Sequence, residues 1–223
     1  GYDQFIHDVC LENIDVTFAI DRAGIVGEDG PTHTGSFDIS FMRCIPNIVI
    51  SCPSNEHELW HLLNICYEHK GPAAIRYPRG SGIGVQPIPN EVEGFEIGKA
   101  KKIKDGQSVC ILNFGVLMDQ IDQIAEKKDY TLYDMRFIKP IDQDALEHAM
   151  QHETIITLED NTLLGGCGSA IGEKLHKQKF KGNLLSIGLK DEFPAHGSRN
   201  EILRQNGLDE ESIQKTIDDF LRN

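Results

Sequence analysis

A chain of 223 residues is long enough to bury the core of one large domain or of two smaller ones. Its 35 Asp and Glu against 22 Lys and Arg leave a net charge of −13, which excludes nucleic acid or an anionic membrane surface as the main partner, so any phosphate ligand must be met by locally placed arginines. There is no apolar run of membrane-spanning length, no basic-then-apolar leader pattern and no Cys-x-x-Cys pair among the six cysteines; the sequence predicts a soluble, cytoplasmic protein with reduced, mostly buried thiols.

Residues Gly1 to Leu11 read as a helix already in progress, with Tyr2, Phe5, Ile6 and Val9 at helical spacing and no N-cap before them, which points to a chain that starts inside a domain. A short apolar strand is expected over 16–20, then a glycine-rich stretch, a brief helix over 36–43 and a second strand over 48–52. Ser54 or Asn55 can cap a helix that runs to about His69. A third strand over 72–77 stops at Pro78-Arg79-Gly80, and the glycines and prolines of 81–96 mark a linker. Beyond it, strands are expected over 109–114, 131–137, 154–158 and 184–189, each followed by a helical pattern of about ten residues or more. This alternation predicts an α/β fold of two units with mostly parallel sheets, helices on both faces and right-handed crossovers.

Three local patterns invite a chemical reading. In H-E-L-W-H over 57–61, two histidines four apart and a glutamate match a zinc-peptidase helix. At about 100° per residue, however, Leu59, Leu62, Leu63 and Cys66 form the expected core stripe, which turns His57 and His61 toward solvent. The extended motif's glycine and third histidine are replaced by Asn64 and Tyr67. Gly165-Gly166-Cys167-Gly168 opens a helix and could cradle a phosphate, but close packing of helix on strand demands glycine equally well. His196-Gly197 reads as a capping turn before a helix that begins near Ser198.

The glycine-rich stretch A-I-D-R-A-G-I-V-G-E-D-G-P-T-H-T-G-S-F-D over 19–38 leaves the carboxyl end of the first strand, where parallel sheets place ligands. Arg79 leaves the end of the third. If those ends are neighbours, Arg22 and Arg79 can converge on one anion, each with a fork of donors matched to phosphate oxygens. Asp29 and His33 could then serve as charge stabiliser and proton shuttle. Equally, Arg22 could be a salt-bridge partner of Asp21 or Asp38, and His33 an ordinary turn residue.

The same stretch, together with R-C-I-P-N-I-V-I-S-C-P-S, G-P-A-A-I-R-Y-P-R-G and Y-D-M-R-F-I-K-P-I-D, resembles the 1-deoxy-D-xylulose-5-phosphate synthases, thiamine-diphosphate transferases of the transketolase class, along essentially the whole chain. The resemblance implies that residues 1–94 are the later part of a pyrimidine-binding domain and 95–223 a transketolase C-terminal domain. It implies pyruvate and glyceraldehyde 3-phosphate as substrates, thiamine diphosphate and Mg2+ as cofactors, and a homodimer. Asp29 and His33 would line the pocket near the thiazolium, and Arg22 and Arg79 would bind the aldehyde's phosphate. The family's G-D-G diphosphate motif and ring-activating glutamate have no counterpart in this sequence. The main cofactor-binding groups are therefore expected upstream of Gly1, and the chain is expected to be inactive without the remainder of the enzyme. A split transketolase and a 2-oxo-acid dehydrogenase β-type subunit are the alternatives of the same fold. No group of the second unit is assigned to the chemistry; its expected use is assembly.

Overall fold

The computed structural model describes residues 1–86, 88 and 95–222. Residues 87 and 89–94 of the expected linker, and with them the expected boundary after residue 94, lie outside the described residues.

The first sheet is built around β3 (Ala73–Arg76), which lies between β1 (Thr17–Ile20) and β2 (Val49–Ser51) and runs parallel to both. A central strand paired on both sides is buried on both faces, and all four residues of β3 are buried, Arg76 included. The chain enters through a helical turn, α1 (Tyr2–Gln4), that continues as a π-helical segment, Phe5–Cys10. Gly1 stands at the N-cap position of that turn, a place the sequence reading left without a cap. It offers no side chain there, and its carbonyl accepts the Phe5 amide at 2.9 Å. α2 (Asp38–Met42) follows the glycine-rich stretch, and α3 (Glu56–Glu68) starts at Asn55, whose side chain accepts the Glu58 amide at 3.0 Å.

The second sheet has the order β4-β6-β5-β8-β9, with β4 (Lys101–Lys104), β5 (Val109–Phe114), β6 (Thr131–Asp134), β8 (Thr154–Thr162) and β9 (Asn183–Leu189). All pairs are parallel except β4 against β6. It carries α4 (Met118–Lys128), α5 (Gln143–Ala149), α6 (Cys167–Lys177), α7 (Arg199–Gln205) and α8 (Glu210–Arg222). The architecture is thus mixed α/β with two mostly parallel sheets. Helices α5 and α7, at seven residues each, are shorter than expected.

Three strands differ from expectation. The strand expected over 131–137 breaks after Asp134, because Arg136 adopts a left-handed conformation (φ 55°). Its continuation, β7 (Phe137–Lys139), leaves for the first sheet and pairs antiparallel with β2. Strand β8 runs four residues past Leu158, and β4, a lysine-rich edge strand, has too little apolar pattern to be seen in the sequence.

One core is shared between the sheets: Ile39, Ile50 and Ala74 of the first unit pack with Leu112, Phe114 and Ile155 of the second. Each buried Leu, Ile or Phe side chain among them contributes about 1.5–3 kcal/mol. Ile25, from the glycine-rich stretch, packs instead with Leu117, Ile121 and Ile202, so the stretch is pinned to the second unit. All six cysteines are free, and all but Cys44 are buried; burial pushes the Cys110 thiol up to about 12. Among the described residues no helix is long and apolar enough to cross a membrane.

Candidate active site

Ile20 and Arg76 are register partners in β1 and β3, so the segments leaving these strands start side by side. The Ala23 amide donates to the Tyr77 carbonyl at 3.0 Å and holds them together. Arg22 takes a left-handed conformation (φ 60°), an uncommon one for a side-chain-bearing residue. Its Nε donates to Asp29 Oδ2 at 3.2 Å, and Arg79 Nε lies 3.2 Å from the same oxygen. Asp29 ends a 3-10 turn, Gly27–Asp29, flanked by Gly27 and Gly30 at φ 71° and 73°. Arg22 also pairs with Asp21. His33 ends the next turn, Pro31–His33, exposed, with Nδ1 3.0 Å from Thr32 Oγ1. The structure therefore brings Arg22, Arg79 and Asp29 together and sets His33 one turn away.

Asp38, the other partner expected for Arg22, belongs to Arg76. That buried guanidinium donates through Nη1 to Asp160 Oδ1 at 2.5 Å and through Nη2 to the Gly35 carbonyl at 2.9 Å and the Asp160 carbonyl at 3.1 Å, with Nε 3.4 Å from Asp38 Oδ2. Burial pushes the Asp38 carboxyl up to about 6, against the pull of Arg76. Burial also opposes the charge on Arg76, but Asp160 and Asp38 outweigh it and leave its pKa raised. The glycines of the stretch are explained here: a Cβ on Gly24 (φ 63°) would collide with Asp160, and one on Gly35 with Asp38 and the Arg22 carbonyl. Sequence reasoning singled out Arg79 in I-R-Y-P-R and missed Arg76, three residues earlier, which ties the two sheets together.

The H-E-L-W-H segment is corrected by the structure. Glu58 and His61 lie on the buried face of α3, while Leu63 is exposed. Glu58 accepts from Arg136 Nε at 2.7 Å and Nη2 at 2.9 Å, and the Arg136 guanidinium sits 4.0 Å from the centroid of Phe95, on which His61 stacks at 4.4 Å. The glutamate of the motif is a structural ion-pair partner, committed to Arg136 and not to a general-base role. Beside it Asp134 accepts from Ser54 Oγ at 2.5 Å and from the Arg136 amide at 3.2 Å. Burial, reinforced by Glu58, pushes its carboxyl up to about 7.

The amides at the start of α6 are also occupied. Glu159 accepts from Cys167 N at 2.7 Å and Gly168 N at 2.8 Å, so a carboxylate of the chain itself fills the place a phosphate would take. Burial pushes that carboxyl up to about 7. Ser198 and Glu201 form a capping box at the start of α7, as the capping-turn reading of His196-Gly197 expects.

A cleft of about 640 Å³ opens beside the paired arginines. Its walls include Arg79 and Tyr77 from the end of β3, Glu28 from the glycine-rich stretch, Glu56 from α3, Asp119 from α4 and Arg199 from α7. Of the four residues singled out from the sequence, Arg79 lines it. Gly1, before which the main cofactor-binding groups are expected, does not: it is exposed, and a Cβ built on it would meet nothing within 4 Å.

Two α/β units with mostly parallel sheets share one core, and this is the architecture of a transketolase-type protein. The transketolase pyrimidine binding domain matches residues 1–83 and the transketolase C-terminal domain matches residues 98–213; the chain belongs to this family. Over its full length it is 48% identical to the 1-deoxy-D-xylulose-5-phosphate synthase of Idiomarina loihiensis and 50% identical to that of Mannheimia succiniciproducens, and it spans 36% of the length of each. A chain of a split-gene transketolase, solved as an inactive beta4 tetramer, superposes over 98% of this chain and 71% of its own with a TM-score of 0.86 at 23% identity. The transketolase of Campylobacter jejuni superposes over 90% of this chain and 31% of its own at 0.66 and 20% identity. These two structures bear on the fold alone.

Proposed function

We propose that this chain is the C-terminal part of a thiamine-diphosphate-dependent synthase that condenses pyruvate with glyceraldehyde 3-phosphate, with loss of carbon dioxide, to 1-deoxy-D-xylulose 5-phosphate, a precursor in non-mevalonate isoprenoid synthesis. The observation that carries this reading is the meeting of Arg22 and Arg79 at a single carboxylate oxygen. Two guanidiniums held that close form a receptor for a small oxyanion, and the Asp29 carboxylate holds the place that the phosphate would take. The synthase relatives at 48% and 50% identity support the same choice of substrates.

In this reading residues 1–94 form the later part of the pyrimidine-binding domain and 95–223 the C-terminal domain. Thiamine diphosphate, when bound, supplies the carbanion chemistry. Mg2+ and the diphosphate are assigned to the remainder of the enzyme, as the resemblance implies, and the whole acts as a cytoplasmic homodimer. This chain's residues orient the aldehyde: Arg22 and Arg79 grip its phosphate, which uses binding energy remote from the reacting carbon to hold attack geometry. His33, one turn from Asp29, delivers a proton to the oxygen that becomes a hydroxyl, and Asp29, displaced from the arginines, stabilises the imidazolium.

The test is reconstitution. The chain combined with the N-terminal portion of the Idiomarina loihiensis relative should turn over pyruvate and glyceraldehyde 3-phosphate, and neither part alone should do so. Turnover of a ketose donor instead of pyruvate would favour the alternative of the same fold, a split transketolase.

A further inference from the structure

Arg199 is the one guanidinium of the cleft that the arginine pair leaves unexplained. It begins α7 in the second unit, yet its backbone is seated on the glycine-rich stretch: a Cβ on Gly27 would stand 2.5 Å from Arg199 N and 3.0 Å from the Gly197 carbonyl. Gly27 opens the turn that ends at Asp29, the carboxylate shared by Arg22 and Arg79. The backbone of Arg199 is therefore packed against the turn that carries Asp29. Its side chain lines the same cleft as Arg79, and its Nε is buried without a hydrogen-bond partner among the described residues. A buried guanidinium nitrogen lacking an acceptor is costly, and the residue as a whole is only half-buried, so the guanidinium is not committed by any hydrogen bond of the fold among the described residues.

The rest of the cleft is acidic. Glu28, Asp119 and Glu56, which accepts the Gly84 amide at 2.8 Å, line it together with the arginines. Burial, then Asp122 and Glu56, push the Asp119 carboxyl up, while Arg199 pulls it down. Carboxylates repel a phosphate and accept hydrogen bonds from hydroxyls, so in this cleft the guanidiniums are the groups suited to a phosphate and the carboxylates those suited to hydroxyls.

We propose that Arg199 is a specificity-determining residue: with Arg79 it holds the phosphate monoester of the acceptor substrate, so the second unit contributes a binding group and not assembly alone. The identity of the acceptor rests on the synthase reading; the anion site itself does not.

The experiment is calorimetric titration of the enzyme, reconstituted from the chain and the N-terminal portion of the Idiomarina loihiensis relative, with glycerol 3-phosphate, an unreactive phosphate monoester, and with glycerol as the control. Arg199→Gln should weaken binding about ten-fold or more, the worth of a charge-assisted hydrogen bond. Arg199→Lys, which keeps the charge and loses the fork, should fall between parent and Gln variant, with both variants keeping the parent's thermal midpoint. Unchanged affinity in Arg199→Gln, while Arg22→Gln and Arg79→Gln bind more weakly, overturns the inference and leaves the synthase reading standing. Weakening in Arg199→Gln alone, with Arg79→Gln binding as the parent does, overturns the shared grip the inference states and also counts against the arginine pair. A lowered thermal midpoint without rescue by Lys marks a structural role, and no binding by the parent reconstituted enzyme removes both.

Discussion

Arg22 and Arg79, which leave the ends of two strands more than fifty residues apart in sequence, each hold Nε 3.2 Å from the same oxygen, Oδ2 of Asp29. Like charges approach that closely only around a shared counter-charge, and a phosphate dianion serves that role better than one carboxylate. In the reconstituted enzyme, Arg79→Ala should therefore raise KM for glyceraldehyde 3-phosphate roughly ten- to a hundred-fold and leave that for pyruvate nearly unchanged. Steady-state kinetics with each substrate varied in turn reads this directly. Equal effects on both substrates would reject the phosphate role.

His33 makes a prediction of a different kind. It is exposed and its recorded partner is Thr32 Oγ1 at 3.0 Å, so removing the ring should cost the fold little. If it transfers a proton, His33→Ala lowers kcat by about a hundred-fold or more while the thermal midpoint stays put. Turnover at the parent's rate would take it off the list of catalytic residues.

The arginine pair was legible in the sequence because both residues follow apolar runs that read as strands, and parallel strands put their carboxyl ends together. The central strands were legible for the same reason: β5 is apolar throughout but for Asn113. What the sequence hid was the buried charge. Glu159-Asp160-Asn161-Thr162 lies past the expected end of the strand, yet it finishes β8, because Arg76 and the amides of Cys167 and Gly168 satisfy its carboxylates. The buried face of α3 was misassigned similarly: Glu58 and His61 face inward toward Arg136 and Phe95, dozens of residues further along the chain. A one-dimensional pattern cannot show partners supplied from another unit. Resemblance reached further than periodicity, since long strings carry the consequences of such contacts without displaying them.

The Arg76–Asp160 pair joins β3 of one sheet to β8 of the other, with both side chains 1% exposed. A buried pair need not stabilise relative to an apolar substitute, but breaking one side strands the other charge. Arg76→Met should cost about 3–5 kcal/mol, and Arg76→Met combined with Asp160→Asn less than the sum of the single changes. Urea unfolding of the four proteins measures the coupling. Strict additivity would mean that the two groups do not depend on each other.

Asp134 carries a pH signature. Burial, then the neighbouring Glu58, raise its carboxyl from 3.8 to about 7, while Ser54 and Arg136 pull the other way. Between those limits the folded chain keeps a proton that the unfolded chain has released, so the group's contribution is fully present below 3.8 and is lost as pH rises through about 7. Asp134→Asn cannot titrate. It also alters the bond with Ser54, which shifts stability by an amount that does not vary with pH. The Glu159 carboxyl, also raised to about 7, is present in both proteins and cancels in the comparison. The stability of Asp134→Asn relative to the parent should therefore climb across this window and level off above it, as read from denaturant midpoints taken at a series of pH values. A difference that stays constant across the window would mean that Asp134 is charged in the fold at every pH tested, held so by Arg136.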